Sequence, residues 1–359
     1  MVAEKQTRRT HTKSRRGCLA CKKRHVKPIQ PLSLSATAFS STPGSSRLLE
    51  LELMHRWSTK TWASLYSVPD DQFFLQEHLP RTALFESYMM NGLFALAAAD
   101  LASSGRPEYL PIAYEYSTMA TADYQVALQR VSRDNVHGIY AFAMMANIFN
   151  FSMPALSPSA LTRMKVAFDT VAGASDYIMT YAHWRPPCSS LVRSGSLQPN
   201  MGLLSSGTRS ALDRLRSLSR QIRVPASFAG TVNNNSSLAA DVRVYQLAIS
   251  HIENSFAEDA EGKVKGYCFC ICDVVPPEYM AALKACEPMA LLILMYYGVV
   301  VNQSSNIMMW WIKSTGKDLV AEVAAMLQET SIARMSDAQE AISWAREEVG
   351  LPGYAAPNH

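Results

Sequence analysis

The sequence lacks the local signatures of the common enzyme classes. It contains no Gly-x-Ser-x-Gly elbow, no His-Glu-x-x-His pair, no P-loop and no Gly-x-Gly-x-x-Gly loop. Its eight histidines are scattered, and acidic pairs such as Asp70-Asp71 are typical of helix ends or solvated faces. These absences predict that the protein is not an enzyme.

Signals for export and for membrane insertion are equally scarce. The seven cysteines are irregularly spaced, unlike those of a secreted disulfide framework, and the basic N-terminus has no apolar signal core. The apolar run Met289–Val301 is shorter than the roughly 20 residues that span a bilayer. We therefore expect an intracellular protein with reduced thiols and no membrane span.

What the sequence does contain is a large apolar share with helical periodicity. Hydrophobic residues make up 48% of the 359 residues and charged residues 18%, which is typical of a globular protein with a sizeable core. Strand signals are weak, so we predict an all-α, multi-helix domain. The predicted helices begin near Arg47 and then cover Arg81–Ser103, Pro111–Val131, Asn135–Met153, Pro158–Ala182, Ser210–Arg223, Leu238–Ala257, Pro277–Ala285, Pro288–Lys313, Lys317–Glu329 and Ser336–Val349.

Composition divides the chain into four regions. Residues 1–27 form a basic arm with ten Lys or Arg and one acid, and residues 28–46 are a linker rich in Pro and Ser. Residues 47–349 form the helical domain, and residues 350–359 are a tail. A basic arm on a mildly acidic body favours nucleic acid or a nuclear import receptor as its partner.

The arm contains a pair of cysteines spaced for one metal. Two residues separate Cys18 from Cys21, so both thiolates can face the same ion. Cations surround the pair: Arg15, Arg16, Lys22, Lys23, Arg24 and Lys27.

This segment resembles the beginning of the fungal binuclear zinc-cluster domain, a DNA-binding module in which six cysteines hold two zinc ions. The family places six residues, here Lys22–Lys27, between its second and third cysteines, but Pro28 stands at the third position and the next cysteine is Cys188. Two thiolates do not close a tetrahedral zinc site, and such a module folds only with its metal. We therefore expect an incomplete zinc site and a disordered arm, rather than a makeshift site completed by His11 and His25.

The resemblance also implies a function for the arm. In that family, the cations after the second cysteine contact phosphates and the bases of a CGG triplet, and Lys22, Lys23 and Arg24 occupy those positions. It implies a nuclear regulator of RNA polymerase II genes that binds zinc and CGG-type DNA, with homodimerisation as a further expectation. Without cysteines three to six, we expect DNA binding to be impaired in this chain. A segment lost at a wrongly assigned splice junction after Lys27 is one explanation.

The helical region resembles the regulatory domain of fungal zinc-cluster transcription factors, especially the sterol uptake control type. The residues that carry this resemblance are Met54–Thr59, Tyr88–Ala98, Tyr109–Ala113, Glu287–Leu291 and Tyr296–Val299. The resemblance implies an apolar ligand pocket for a sterol, and ordinary core packing is the alternative for each lining residue. The candidates for the pocket lining are Tyr296, Tyr297, Met308, Met309, Trp310 and Trp311.

Two further alternatives come from the residues themselves. In an extended segment, Cys268, Cys270 and Cys272 would share one face near Cys286, as in a metal or redox site. Their spacing matches no zinc motif, so we favour buried, inert cysteines. The alternative function for the whole chain is a helical ligand-binding or protein-interaction domain without DNA-binding activity.

Overall fold

The computed structural model describes residues 43–65, 71–153, 159–181, 200–222, 237–261, 267–305 and 309–353. By internal contacts the chain divides into two units, Met1–Ser46 and Arg47–His359, and nearly all of the described residues belong to the second. All secondary structure in the described ranges is helical, which confirms the predicted all-α fold. The predicted basic arm and most of the predicted linker lie outside these ranges.

The N-terminal half of the described chain is built from helices joined by short 3₁₀ turns. A turn of α-helix, Asp71–Phe73, and a π-helical segment, Phe74–His78, lead directly into the second helix. The helices are α1 (Pro43–Thr59), α2 (Leu79–Ala83), α3 (Ser87–Ser103), α4 (Leu110–Ala127) and α5 (Val136–Ser152).

The C-terminal half continues the helical pattern. A 3₁₀ segment, Tyr267–Cys270, runs into α9, and another, Ser331–Arg334, precedes the last helix. The helices are α6 (Ala160–Tyr181), α7 (Ser206–Gln221), α8 (Ser237–Glu261), α9 (Ile271–Val274), α10 (Pro277–Lys284), α11 (Pro288–Ser305), α12 (Thr315–Gln328) and α13 (Ser336–Glu348).

We call the apolar cluster formed by α1–α5 the first core. It is centred on α3, which packs against α4 and α5 and is buried along most of its length, as its nearly continuous apolar sequence predicts. Its run of small residues, Ala95 and Ala97–Ala99, is at most 2% exposed. Larger rings fill the periphery, where Phe94 meets Tyr116 edge to face at 5.2 Å between centroids.

A buried carboxylate joins α1 to α3 at the edge of this core. Asp100 accepts hydrogen bonds from Arg56 Nε at 2.9 Å, from Arg56 Nη2 at 3.0 Å and from Thr61 Oγ1 at 2.7 Å. The same guanidinium also donates to Ser104 Oγ at 2.8 Å. A planar guanidinium that binds both carboxylate oxygens is a strong, directional contact, so it sets how α1 lies on the body.

We call the cluster formed mainly by α6–α13 the second core. Its centre is α11, whose residues Met289–Val301 are, apart from Gly298, at most 1% exposed. Glu287 fixes the beginning of this helix, since its Oε2 accepts from Ala290 N at 2.9 Å and from the Tyr245 hydroxyl at 2.6 Å. A capping carboxylate at a helix N-terminus also interacts favourably with the helix dipole. Within the segment Glu287–Leu291, Glu287 therefore caps the N-terminus of α11.

Helices α11 and α12 approach each other so closely that glycine is needed at the contact. A Cβ atom on Gly316 would lie 2.4 Å from Asn302 N and 2.5 Å from Gly298 O. Both atoms belong to the backbone of α11, so a larger side chain at this point would separate the two helices.

The two largest differences from the predicted helices are an interruption and an early end. The predicted helix Arg81–Ser103 is interrupted after Ala83, because Glu86 is extended (φ −130°, ψ 105°) and α3 begins at Ser87. The predicted helix Pro288–Lys313 ends at Ser305, within a run of Asn, Gln and Ser residues that favour helices weakly. In addition, α1 begins at Pro43, inside the predicted linker.

Within the described ranges, no single helix has the length and apolar character needed to cross a membrane. The pair Pro277–Lys284 and Pro288–Ser304 reaches that length and composition only when taken together, and the two helices are bent by 99°.

Candidate functional site

A small apolar cavity lies within the second core, where α5 and α6 meet α11. Its volume is about 40 Å³. The lining residues come from α5, α6, α11, the 3₁₀ segment before α9 and the chain after α11: Met144, Asn147, Ile148, Phe151, Met164, Ala167, Phe168, Val171, Phe269, Tyr297 and Trp311.

Aromatic rings form most of the wall around Trp311. Its indole lies 5.1 Å from the ring of Phe269 and 6.2 Å from that of Phe151, measured between centroids. On the other side, Phe168 meets Tyr297 near-perpendicularly at 5.9 Å. Large flat rings that meet at such angles leave gaps between them, and the small side chain of Ala167 adds to the space.

Ser64, in the 3₁₀ turn after α1, holds both indoles of the Trp310-Trp311 pair. Trp310 Nε1 donates to Ser64 Oγ at 2.9 Å, and Trp311 Nε1 donates to Ser64 O at 3.3 Å. The Trp311 ring therefore faces the cavity with its polar atom satisfied on the far side. The wall it forms is apolar.

The cavity contains one side-chain amide. Asn147 is 7% exposed, and its Nδ2 donates to the main-chain oxygen of Ala167 at 3.2 Å, which links α5 to α6. Asn150, one turn further along α5, makes a comparable bond from Nδ2 to Arg163 O at 3.3 Å but does not line the cavity.

The structure brings only part of the predicted pocket residues together. Tyr297 and Trp311 line the cavity, whereas Trp310 packs between the two cores and Met309 is buried without lining the cavity. Met308 lies outside the described residues.

Tyr296 faces away from the cavity. Its ring lies 4.7 Å from that of Trp344, and its hydroxyl donates to Ala211 O at 3.3 Å. Burial raises the pKa of this hydroxyl well above its usual value. Tyr296 therefore belongs to the packing between α7, α11 and α13.

Most of the cavity lining was not predicted from the sequence. Met144, Met164 and Phe269 are far apart along the chain and look like ordinary core residues. Asn147 had one recognisable signal, since it is an amide inside the otherwise apolar stretch of α5. A polar residue on a buried helical face needs a partner, and that need makes it a candidate for function.

The cysteine segment does not form the shared face that an extended chain would give. Tyr267–Cys270 is a 3₁₀ helix and Ile271–Val274 is α-helical, so the extended conformation considered for this segment is wrong. Cys268 is a free, buried cysteine, and burial raises its pKa to about 12. The side chains of Cys270 and Cys272 lie outside the described residues.

The other described cysteine is partly exposed and lies next to a lysine. Lys165 Nζ is 2.9 Å from Cys286 Sγ and also donates to Lys284 O at 3.3 Å. Cys286 has a left-handed backbone (φ 57°) at the corner between α10 and α11. Among the described residues, no group of three or more His, Cys, Asp or Glu side chains is arranged to hold a metal ion.

The predicted zinc and DNA contacts are all in the N-terminal arm. Cys18, Cys21 and the surrounding cations Arg15, Arg16, Lys22, Lys23, Arg24 and Lys27 lie outside the described residues. They remain predictions from the sequence.

Neither the scan against protein-family models nor the search of curated proteins found a match to this chain.

Proposed function

We propose that this chain is a fungal zinc-cluster-type transcription regulator of the sterol uptake control kind, with impaired DNA binding. The observation that carries the proposal is the segment Arg15–Lys27, with its Cys-x-x-Cys pair and clustered cations, ahead of a helical body. In this proposal, the arm directs the chain to the nucleus, and the all-α body is the regulatory domain.

The body supports this role through its cavity. Tyr297 and Trp311, two of the residues that the family resemblance marks as pocket lining, lie on one apolar cavity between helices. Ligand sites in helical proteins are commonly concave, apolar and placed between helices, but they measure roughly 300–1,000 Å³. A sterol therefore binds only if the helices around this cavity move apart.

A gel-shift assay with the full chain tests the DNA part of the proposal. Duplexes with CGG triplets, with scrambled triplets as controls, are titrated in the presence and absence of zinc. We expect weak binding that is insensitive to zinc and to sequence and that falls steeply with salt, because cations without a complete zinc cluster to aim them bind phosphates without reading bases. Tight, zinc-dependent, CGG-selective binding would refute the impairment.

Regulatory activity is tested separately by supplying the missing DNA-binding function. The full chain is fused to an unrelated DNA-binding domain and expressed in yeast with the matching reporter. We expect the reporter output to depend on the chain and to change when ergosterol is depleted. A reporter that stays at the level of the DNA-binding domain alone would contradict the regulatory role.

The second candidate function is a helical ligand-binding or interaction domain with no role on DNA. The observation that favours it is Pro28, which stands where the zinc-cluster family has its third cysteine. In an ergosterol titration followed by tryptophan fluorescence, Trp311→Ala should abolish the response, while Trp310→Ala should preserve it because Trp310 does not line the cavity. Ligand binding without any reporter activity would favour this second function.

A further inference from the structure

The side chains of Lys165 and Cys286 bring an amine and a thiol into direct contact. Lys165 lies in α6, and its Nζ is 2.9 Å from the Sγ atom of Cys286, at the corner between α10 and α11. The same Nζ donates to Lys284 O at 3.3 Å, which holds the lysine side chain over this corner. Both groups are nucleophiles in their deprotonated forms, so the contact is one between two reactive groups.

The surrounding contacts hold α6 and the corner in this register. Asp169, one turn after Lys165 on α6, forms an ion pair with Lys284 Nζ at 2.5 Å. The corner is closed by a backbone hydrogen bond from Cys286 N to Leu283 O at 3.0 Å. The short distance between Nζ and Sγ is therefore supported by the packing of two elements on each other.

The backbone of Cys286 supports a use for its side chain. Its φ of 57° is in the left-handed region, and it follows α10 at the position where glycine is the usual residue. Residues other than glycine that are held in such conformations are concentrated at functional sites. The Cys286 side chain is also partly exposed, unlike that of Cys268, so a small oxidant can reach its sulfur.

From this pair we infer an oxidative cross-link, in which one oxygen atom bridges Lys165 Nζ and Cys286 Sγ as an N–O–S linkage. The distance of 2.9 Å is close to the separation that a single bridging oxygen spans, so the linkage forms with little movement of either element. A direct bond between nitrogen and sulfur would require the two atoms to come much closer together. The site is thus a redox-dependent modification site within the second core.

The oxidant is dioxygen, and the reaction balances with one molecule of it. The S–H bond, one N–H bond of the neutral amine and the O–O bond break, while an S–O bond and an N–O bond form. Sulfur and nitrogen each lose two electrons, and together these four electrons reduce dioxygen. One oxygen atom remains in the bridge, and the other leaves as water with the two hydrogens. The third proton of the lysine ammonium passes to solvent beforehand.

The linkage would join α6 covalently to the beginning of α11. The two residues are 121 positions apart in the sequence, and a cross-link across such a long loop lowers the conformational entropy of the unfolded chain. Oxidation should therefore stabilise the second core, and a dithiol should reverse the effect by reducing the bridge. This inference goes beyond the proposed function, because it requires neither DNA nor a sterol.

Peptide mapping of the full chain tests the linkage. The protein is reduced with dithiothreitol under nitrogen, freed of the reductant and divided, and one half is then exposed to air-saturated buffer. Both halves are alkylated with iodoacetamide, digested with trypsin and analysed by mass spectrometry. In the air-exposed half, we expect the peptides of Lys165 and Cys286 to be joined, with a combined mass that has gained one oxygen and lost two hydrogens. Dithiothreitol should separate them again.

Thermal unfolding of the same two samples provides a second measurement. We expect the air-exposed wild type to melt roughly 5 °C above the reduced wild type. Lys165→Arg keeps the positive charge without the amine, and Cys286→Ser removes the sulfur, so both should lose the joined peptides and the difference in melting temperature. Lys284→Arg is the matched control, since it changes the neighbouring lysine at the same corner and should keep both.

The wild-type peptide map needs no variant, so it decides the inference even if a variant fails to fold. Fully alkylated Cys286 in the air-exposed wild type would overturn the inference and leave only a hydrogen bond between ammonium and thiol. A joined peptide that has lost two hydrogens without gaining oxygen would also overturn it, because that mass belongs to a direct N–S bond. A disulfide between Cys286 and another cysteine, or joined peptides in Lys165→Arg, would overturn it as well.

Discussion

The two cores reach close packing by different means. In the first core, α3 presents a run of alanines, and the buried carboxylate of Asp100 is fully used by Arg56 and Thr61. In the second core, large rings and methionines surround α11, with glycines where α11 crosses α12, and a cavity remains. Small side chains with paired polar groups therefore give a rigid seam, whereas large irregular side chains leave adaptable space. This difference is why the proposed ligand site lies in the second core rather than in the first.

The largest expected effect breaks the helix crossing of the second core. In Gly316→Ala, the new Cβ would lie 2.4–2.7 Å from backbone atoms of Asn302 and Gly298, so α11 and α12 must separate. We expect a loss of about 3 kcal/mol in the free energy of unfolding, measured by urea denaturation. Gly173→Ala is the control, since its Cβ meets no atom within 4 Å and should stabilise α6 by about 0.5–1 kcal/mol. Equal stability of the two variants would contradict the close crossing.

The next-largest expected effect is a pH dependence of the free energy of unfolding, caused by His251 in the second core. Burial, partly offset by a hydrogen bond with the backbone of Cys268, lowers the pKa of His251 to about 4. The unfolded chain binds this proton near pH 6.5 and the folded chain only near pH 4. The contribution of neutral His251 to the free energy of unfolding is therefore complete above pH 6.5. It falls by about 3 kcal/mol in total as the pH falls toward 4.

Urea denaturation between pH 7.5 and 4 measures this dependence. His251→Gln should flatten the slope over that interval, while His55→Gln, which changes an exposed side chain, should follow the wild type. Other groups that titrate near pH 4 affect all three proteins alike, so the difference between curves is the relevant quantity. Parallel curves for the wild type and His251→Gln would show that His251 is not the source.

A smaller loss of stability is expected when the carboxylate of Asp100 in the first core is neutralised. In Asp100→Asn, only one of the two acceptor oxygens remains and the negative charge is lost, so Arg56 loses its bidentate partner, at a cost of about 2 kcal/mol. Partial exposure of Arg56 keeps this cost below that of a fully buried pair. Glu108→Gln, which breaks an exposed ion pair with Arg106, is the control and should leave thermal stability unchanged. A melting temperature for Asp100→Asn equal to that of the wild type would argue against a stabilising role for the contact between Asp100 and Arg56.

The smallest expected effect comes from filling the cavity of the second core. Val171→Ile adds one methylene at the lining of the cavity and should stabilise the protein by up to about 0.8 kcal/mol while weakening sterol binding. Val166→Ile, on the same helix but 50% exposed, should change neither property. Thermal melting and the sterol titration are measured on the same samples. Destabilisation by Val171→Ile alone would show that the cavity does not accept even one methyl group.

How far the sequence predicts this protein differs between the fold and the site. The long apolar periodic segments predict helices correctly, because 3.6-residue spacing is a local property, as in α3 and α5. The interruption after Ala83 was missed because an exposed bend leaves little trace in an apolar pattern. Cavity residues such as Met144 and Phe269 come together only through long-range packing, which no local pattern encodes.

The serine at position 64 has a consequence for how the molecule comes apart. The hydroxyl and the main-chain oxygen of Ser64 accept hydrogen bonds from the two indoles. Leu65 and Trp310 contact both the first and the second core. Neither core can unfold without exposing these shared contacts. Heating should therefore give a single calorimetric peak, with calorimetric and van't Hoff enthalpies that agree. If any variant divides this single peak into two, we expect it to be Ser64→Ala.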